Sequence, residues 1–292
     1  MDKLQKVVEK FALNVLTIDY VRQSFSSVVY KIKLIDFRTV YIKIPYSKVK
    51  LEHEYKVLER LRYELSVPQV LDYWEGDEGF TGALLLSAIQ GMPATGKVDA
   101  ALAFDIGIQH AKLHAIIPKE QDFENFISNM HGQSSDFIQH NFYSLAKDVK
   151  EVIDPHLYEQ SMQHFEYHLK LIPYSDATSF IHLDFRPGNI LVYENQISGI
   201  IDFESFSIGA TEMDFTKINR YIFMEYPGTK EAYRQGYESI RPLVDLQEIL
   251  PFYQFIDLFN AIGWCKRRGI ENYQTFLQKN IANLNAFFTN VR

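Results

Sequence analysis

In the segment IHLDFRPGNILV (181–192), Asp184 and Asn189 stand on either side of a bend marked by Pro187 and Gly188, and SGIIDFE (198–204) sets Asp202 at the end of the next apolar run. A bend requires only the proline and the glycine, and an aspartate in a turn is ordinarily a backbone cap. Two carboxylates and an amide gathered in this way have a further use. One carboxylate can accept a proton, while the amide oxygen and the second carboxylate serve as hard ligands for Mg2+. That is the chemistry of phosphoryl transfer, in which positioning and electrostatics supply most of the rate.

The order Asp, Asn, then Asp-Phe is that of the protein-kinase catalytic loop and metal-binding dipeptide, and it makes a demand upstream. A lysine is needed on the third strand of an antiparallel lobe, and a glutamate on the helix that follows. TVYIKIP (39–45) offers Lys43 at the end of a strand-like run, and the next helical segment offers Glu52 and Glu54. The surrounding pattern supplies the elements. Residues 2–12 predict a short amphipathic helix, and VVYKIKLI (28–35) with TVYIKI (39–44) predicts a hairpin around DFR. In VKLEHEYKVLERLRYEL the residues Leu51, Tyr55, Leu58, Leu61 and Leu65 recur at helical spacing. QVLDYW and FTGALLLSAI read as two further strands around EGDEG. Beyond residue 89 the texture is helical over 98–117, 141–172, 211–224, 229–240 and 246–289, with a small hairpin within 180–203. At ~150 residues per domain the 292-residue chain suggests two lobes, an N-terminal nucleotide-binding lobe over 1–90 and a catalytic, acceptor-binding helical lobe over 91–292.

HLDFRPGNIL and GIIDFE together resemble the signature of the aminoglycoside phosphotransferase and choline kinase family, His-x-Asp-x-x-x-x-Asn followed by Ile-Asp-(Phe/Trp). EYKVLERL and SVPQVL are similar to the family's helix and fourth strand, LLLSAIQG to its hinge, and HAKLHAI to the helix ending Leu-His. The resemblance runs from about residue 20 to about 220; the remainder matches only in being helical. It implies an α+β, bilobal, protein-kinase-like fold and a small-molecule kinase that uses ATP or GTP with Mg2+. By residue, it implies that Asp184 orients and deprotonates the acceptor hydroxyl and that Asn189 and Asp202 hold Mg2+. Lys43, fixed by Glu54 rather than Glu52, would contact the α/β-phosphates, and backbone groups of Ser87, Ala88 and Ile89 would meet the purine. His182 is expected to buttress the loop.

The chain also departs from the pattern. QSFSSVVY, where a protein kinase carries a glycine-rich loop, has no glycine, leaving Ser26 and Ser27 as phosphate donors. Arg186 is placed either to stabilise charge on the transferring phosphoryl group or to form a surface ion pair. Glu204 stands where protein kinases have glycine. Three competing functions are weaker. GMPATGKV (91–98) fits G-x-x-x-x-G-K, but Val98 replaces the Mg2+-binding hydroxyl. A peptide-binding activation segment has little room, because only eleven residues separate Asp202 from Asp214 and no Ala-Pro-Glu follows. The missing glycines and DFE suggest a nucleotide-binding pseudokinase, which the full set Lys43, Glu54, Asp184, Asn189 and Asp202 opposes.

Composition bounds the partners. The net charge of −7 disfavours nucleic acid. It divides into +1 over residues 1–90 and −8 over 91–292, which fits either solvated helix faces or a cationic acceptor such as an aminoglycoside, with Glu225, Glu238, Asp245, Glu248 and Asp257 as loose candidates for contacting it. Macrolides, choline, amino alcohols and sugars stay open as acceptors. Cys265 is the single cysteine, which excludes an internal disulfide, and no apolar run approaches the ~18 residues of a membrane span. A cytoplasmic protein without membrane or nucleic-acid partners is expected.

Overall fold

A computed structural model of the chain describes residues 3–21, 27–96, 98–126, 134–171 and 179–290. The chain opens with helix α1 (Lys3–Lys10) and then forms β1 (Val15–Tyr20), β2 (Ser27–Leu34) and β3 (Thr39–Pro45). Helix α2 (Lys48–Leu61) follows, capped by the Ser47 hydroxyl, and then β4 (Val70–Trp74) and β5 (Ala83–Ser87). The five strands form one antiparallel sheet in the order β1-β2-β3-β5-β4. Strand β1 adds an edge beyond the expected strands.

Side chains on a strand alternate between faces, and here the alternation assigns each face a helix. Val40, Ile42 and Ile44 of β3 pack with Ala83 and Leu85 in a cluster that includes Leu4, Val7 and Phe11 of the α1 region. The other face, with Leu84 and Leu86, joins Leu51, Val57, Leu58 and Leu61 of α2 in the main core. Lys43 lies out of phase with the first set and so projects toward α2.

After β5 comes the two-residue strand β6 (Met92–Pro93), then helices α3 (Ala100–Ala115), α4 (Glu120–Phe126), α5 (Ser134–Lys150) and α6 (Pro155–Leu169). The helical texture over 141–172 resolves into two helices. Asp154 caps α6 and Pro155 opens it, which breaks the periodic pattern. Strand β7 (Ser179–Ile181) leads through a 3₁₀ turn, Pro187–Asn189, to β8 (Ile190–Tyr193) and β9 (Gln196–Ile200). Glu194 and Asn195, both with positive φ, make the β8–β9 turn. Strand β10 (Ser207–Gly209) pairs with β7, and β6 pairs with β8. The chain ends in α7 (Phe215–Ile218), a π-helical turn at Asn219–Phe223, α8 (Lys230–Glu238), α9 (Leu246–Arg268) and α10 (Gln274–Asn290). Gly269, at φ +95°, separates the last two helices. No helix among the described residues is long and apolar enough to cross a membrane.

One close approach matters for the site. Helices α3 and α8 cross at Gly107 and Gly236: a Cβ on Gly107 would collide with the Tyr233 carbonyl, and one on Gly236 with the Phe104 carbonyl. Gly107→Ala is therefore expected to cost about 1–3 kcal/mol in urea denaturation, as overpacking does. Gly228→Ala, where nothing lies within 4 Å of the new methyl, should stay within about 0.5 kcal/mol of wild type.

Candidate active site

Lys43 is buried, and its Nζ lies 2.7 Å from Glu54 Oε1 and 2.7 Å from Asp202 Oδ1. Three residues from β3, α2 and the segment after β9 thus meet at one ammonium. Glu54 is buried while Glu52 is exposed, so helix phase selects between the two glutamates. Burial opposes charge on Lys43, but the carboxylates of Glu54 and Asp202 outweigh it and hold the ammonium protonated. Glu54 is pushed up to about 6 by burial, against the pull of Lys43; its Oε2 is buried without a hydrogen-bond partner. Asp202 is also opposed by burial, yet Lys43 holds it below the usual carboxylate range.

Asp184 is aimed by its neighbour. Leu183 has φ +62°, a left-handed conformation costly for a branched residue, and its N–H donates to Asp214 Oδ1 at 2.6 Å. The strained residue of the bend is thus Leu183; Gly188 has no positive φ, and a Cβ there would meet only the Arg186 guanidinium. Asp214 is completely enclosed and also accepts from His182 N–H at 2.7 Å, His110 Nε2 at 3.0 Å and His114 Nε2 at 3.2 Å. Burial would raise its pKa, but the histidine hydrogen bonds hold it far below the usual range. The histidines accept in turn at Nδ1 from Tyr233 OH at 2.6 Å and Tyr237 OH at 2.7 Å. Phe185 stacks on His110 with ring centroids 4.2 Å apart. His182 fits the expected buttress: its Nε2 donates to Ile201 O and its Nδ1 accepts from Asp184 N–H.

Asn189 Nδ2 donates to both Asp184 O (2.9 Å) and Asp184 Oδ2 (2.8 Å), which turns the amide oxygen away from Asp184. Arg186 Nε bridges the two Asp184 oxygens at 3.0 and 2.9 Å, so its ion pair is with Asp184 rather than with a surface acid. Glu204 takes Lys50 at 3.3 Å through Oε1, leaving Oε2 buried and unpartnered. Asp202, the Asn189 amide oxygen and this orphaned Glu204 oxygen supply the hard oxygen donors that suit Mg2+. Asp184, Arg186, Asp202 and Glu204 all line one cavity of about 940 Å3.

Several expected residues sit differently. Ser27 is buried at the start of β2 opposite Pro45 and presents no exposed hydroxyl to phosphate; Ser26 lies outside the described residues. Ser87 exchanges bonds with Gln69, donating its N–H and accepting at its hydroxyl, so its N–H is not open to a ligand. In GMPATGKV, Met92 and Pro93 form a strand on β8 rather than a phosphate cradle, and Lys97 lies outside the described residues. Of the five loose acidic candidates only Asp257 lines the cavity; Glu225 pairs with Lys279, Glu238 with Arg234, and Asp245 caps α9. The residues missed by sequence are His110, His114, Tyr233 and Tyr237. Their signal was two four-residue spacings, HxxxH and YxxxY, on two helices.

The histidines give the fold a pH dependence. Burial holds His114 down to about 3 and lowers His110, and burial with His168 lowers His164 to about 4. Unfolded histidines take up protons near pH 6.5, so between that pH and the folded values the unfolded chain binds more protons and stability falls as pH falls. Burial lowers His53 as well, so Glu54, raised to about 6 and acting in the opposite sense between about 6 and 4.5, is one group against four. Urea denaturation at pH 7.5 and 5 should show lower stability at pH 5, His114 alone contributing about 2 kcal/mol. A rise in stability would contradict the neutral histidine pair.

The profile of the phosphotransferase enzyme family matches residues 21–249. No curated protein matches the sequence. Among solved structures, the GDP and kanamycin complex of APH(2")-IIia superposes with a TM-score of 0.78 at 17% identity, covering 98% of both chains. Macrolide 2'-phosphotransferase MphH from Brachybacterium faecium gives 0.70 at 17% identity, again over 98% of each. The aminoglycoside phosphotransferase APH(4)-Ia, in a ternary complex with ADP and hygromycin B, gives 0.74 at 14% identity, over 98% of this chain and 99% of that one. These likenesses carry the bilobal kinase-like fold, and with the family match over 21–249 this chain belongs to the phosphotransferase enzyme family.

Proposed function

We propose that this protein transfers the γ-phosphoryl group of ATP or GTP to a hydroxyl of a small acceptor, with Mg2+. The observation that carries this is the convergence of Lys43, Glu54 and Asp202 beside a cavity into which Asp184 opens. In the proposed step the acceptor oxygen bonds to the γ-phosphorus, the bond from that phosphorus to the β,γ-bridging oxygen breaks, and the acceptor proton passes to the Asp184 carboxylate. Arg186, already on Asp184, orients that carboxylate and stands beside the negative charge that spreads over the phosphoryl oxygens. Asn189 and Asp202 would hold Mg2+, with Glu204 within the same cavity; the ion would neutralise phosphate charge. Lys43 would contact the α/β-phosphates once Asp202 turns to the metal.

The nucleotide would lie against residues 1–90, with Ala88 and Ile89 at its base, and the acceptor against 91–292. Both donor bases have a precedent, since the similar structures were solved with GDP and with ADP. Those structures include complexes with kanamycin and with hygromycin B and a macrolide phosphotransferase, so hydroxyl-bearing antibiotics begin the acceptor screen.

Asp184→Ala should lower turnover by several orders of magnitude with nucleotide affinity little changed, as measured by steady-state kinetics and calorimetric titration. Near-wild-type turnover would end its assignment as the base. Asp202→Ala should weaken Mg2+-nucleotide binding and raise the Mg2+ concentration needed for half-maximal rate; an unchanged Mg2+ profile would remove it from the metal site.

A further inference from the structure

The wall of the cavity supplied by α7, α9 and α10 has a charge pattern that differs from that of the chain as a whole. Asp257 on α9 sits between two cations: its Oδ1 is 2.9 Å from Lys217 Nζ and its Oδ2 is 2.6 Å from Arg220 Nη2. Both oxygens of this carboxylate are therefore engaged, and the trio carries one net positive charge. Burial lowers the Lys217 pKa, but Asp257 outweighs it and keeps the ammonium charged; Asp184 is near enough to act on it in the same sense. About a quarter of the Lys217 side chain is exposed (25%), and it lines the cavity. Arg268, over the Trp264 ring at 5.1 Å, adds a further cation to the lining.

The acids of the cavity are largely committed. Asp184 is held by Arg186, Asp202 by Lys43, Glu204 by Lys50 and Asp257 by its two partners. Only Glu271, on the exposed turn Ile270–Asn272, has no cation within ion-pair distance among the described residues that line the site. An acceptor bearing several ammonium groups would find few carboxylates to receive them and a cationic wall beside them. Two further features describe what would fit. Asn260 Oδ1 is buried without a hydrogen-bond partner and asks for a donor. Trp264 and Phe276 stand in the same lining, with Arg268 over the first ring and Arg220 over the second at 5.6 Å.

We propose, resting on the phosphotransferase reading above, that the acceptor is a small hydroxyl-bearing anion. Its carboxylate or phosphate group is held by Lys217 and Arg220, its ring or chain lies against Trp264 and Phe276, and one of its hydroxyls donates to Asn260. The hydroxyl that receives the phosphoryl group faces Asp184.

The test uses the full chain with Mg2+ and a non-hydrolysable ATP analogue, titrated calorimetrically with gluconate, glucose 6-phosphate, glucose and kanamycin. These share a sugar-like scaffold and differ in charge, and the two anions separate carboxylate from phosphate. At least one anion should bind about tenfold more tightly than glucose, and kanamycin no more tightly than glucose. Lys217→Gln should remove the preference for the anion, and Lys217→Arg should restore it. Tightest binding by kanamycin, anions that bind no better than glucose, or a preference that survives Lys217→Gln would each overturn the inference. The wild-type comparison stands even if a variant does not fold. Basal ATP turnover of the same wild-type preparation, with Asp184→Ala as control, tests the underlying reading separately. Turnover that ignores Asp184 while the anion preference holds strikes the phosphotransferase reading, and Asp184-dependent turnover without that preference strikes the anionic acceptor.

Discussion

The buried carboxylate of Asp214 is the interaction on which the rest of the site depends. It receives four donors, two from the backbone of His182 and Leu183 and two from the imidazoles of His110 and His114. Hydrogen bonds to a charged partner contribute roughly 1.5–3 kcal/mol each, enough together to hold Leu183 in a left-handed conformation that costs roughly 1–3 kcal/mol. That conformation turns Asp184 out of the line of β7 and into the cavity. Gly107 and Gly236 let α3 and α8 approach, which brings Tyr233 and Tyr237 onto the second nitrogens of the histidines that hold Asp214. Helix packing, backbone strain and the direction of one carboxylate are therefore a single constraint.

A second tie runs between the sheet and the helical part. Lys43 and Asp202 lie 159 residues apart in sequence and 2.7 Å apart in space. Ser66, just beyond α2, accepts from Ile200 N–H at 2.9 Å, and its hydroxyl donates to Ser198 O. The strand that delivers Asp202 is thus fastened to the end of the helix that delivers Glu54. A buried ion pair is weak evidence for stability, because desolvation offsets most of the attraction. Its stronger consequence is geometric. With an uncompensated oxygen on Glu54 and another on Glu204, the centre holds more negative charge than Lys43 and Lys50 neutralise, a poor resting arrangement unless it is to receive a cation.

Much of this was legible in the sequence wherever a local pattern carried it. β-Branched and aromatic runs gave β2 and β3, an apolar run gave β5, helical spacing gave α2, and the family resemblance singled out Glu54 on it. The signature around Asp184 gave the bend, though its glycine misdirected attention from Leu183, whose φ depends on a carboxylate 31 residues away. What could not be read had the same character. Strand β1 alternates Leu16, Ile18 and Tyr20 with Thr17 and Asp19, but these apolar side chains are exposed at the sheet edge rather than packed in a core. The Ser87 N–H is lost to Gln69 through tertiary pairing, and Arg186 turns to Asp184 rather than to open solvent. Pairings between distant segments leave little trace in local periodicity.

Net charge illustrates the same limit at the level of function. The balance of −8 after residue 90 invites a cationic partner, yet most of that charge lies where it cannot act on the cavity. Glu231 and Glu238 face Arg234 on α8, and Asp148 and Glu151 pair with Arg267 and Lys266. At physiological ionic strength exposed charges are screened beyond about 8 Å, so a ligand within the cavity responds to the lining and hardly at all to the outer helices. In that lining, Lys217 and Arg220 share one aspartate, so this part of the wall carries the opposite sign to the one the composition suggests. Selectivity in such a site follows from which carboxylates have both oxygens already engaged, a property of paired atoms that no sum over residues contains.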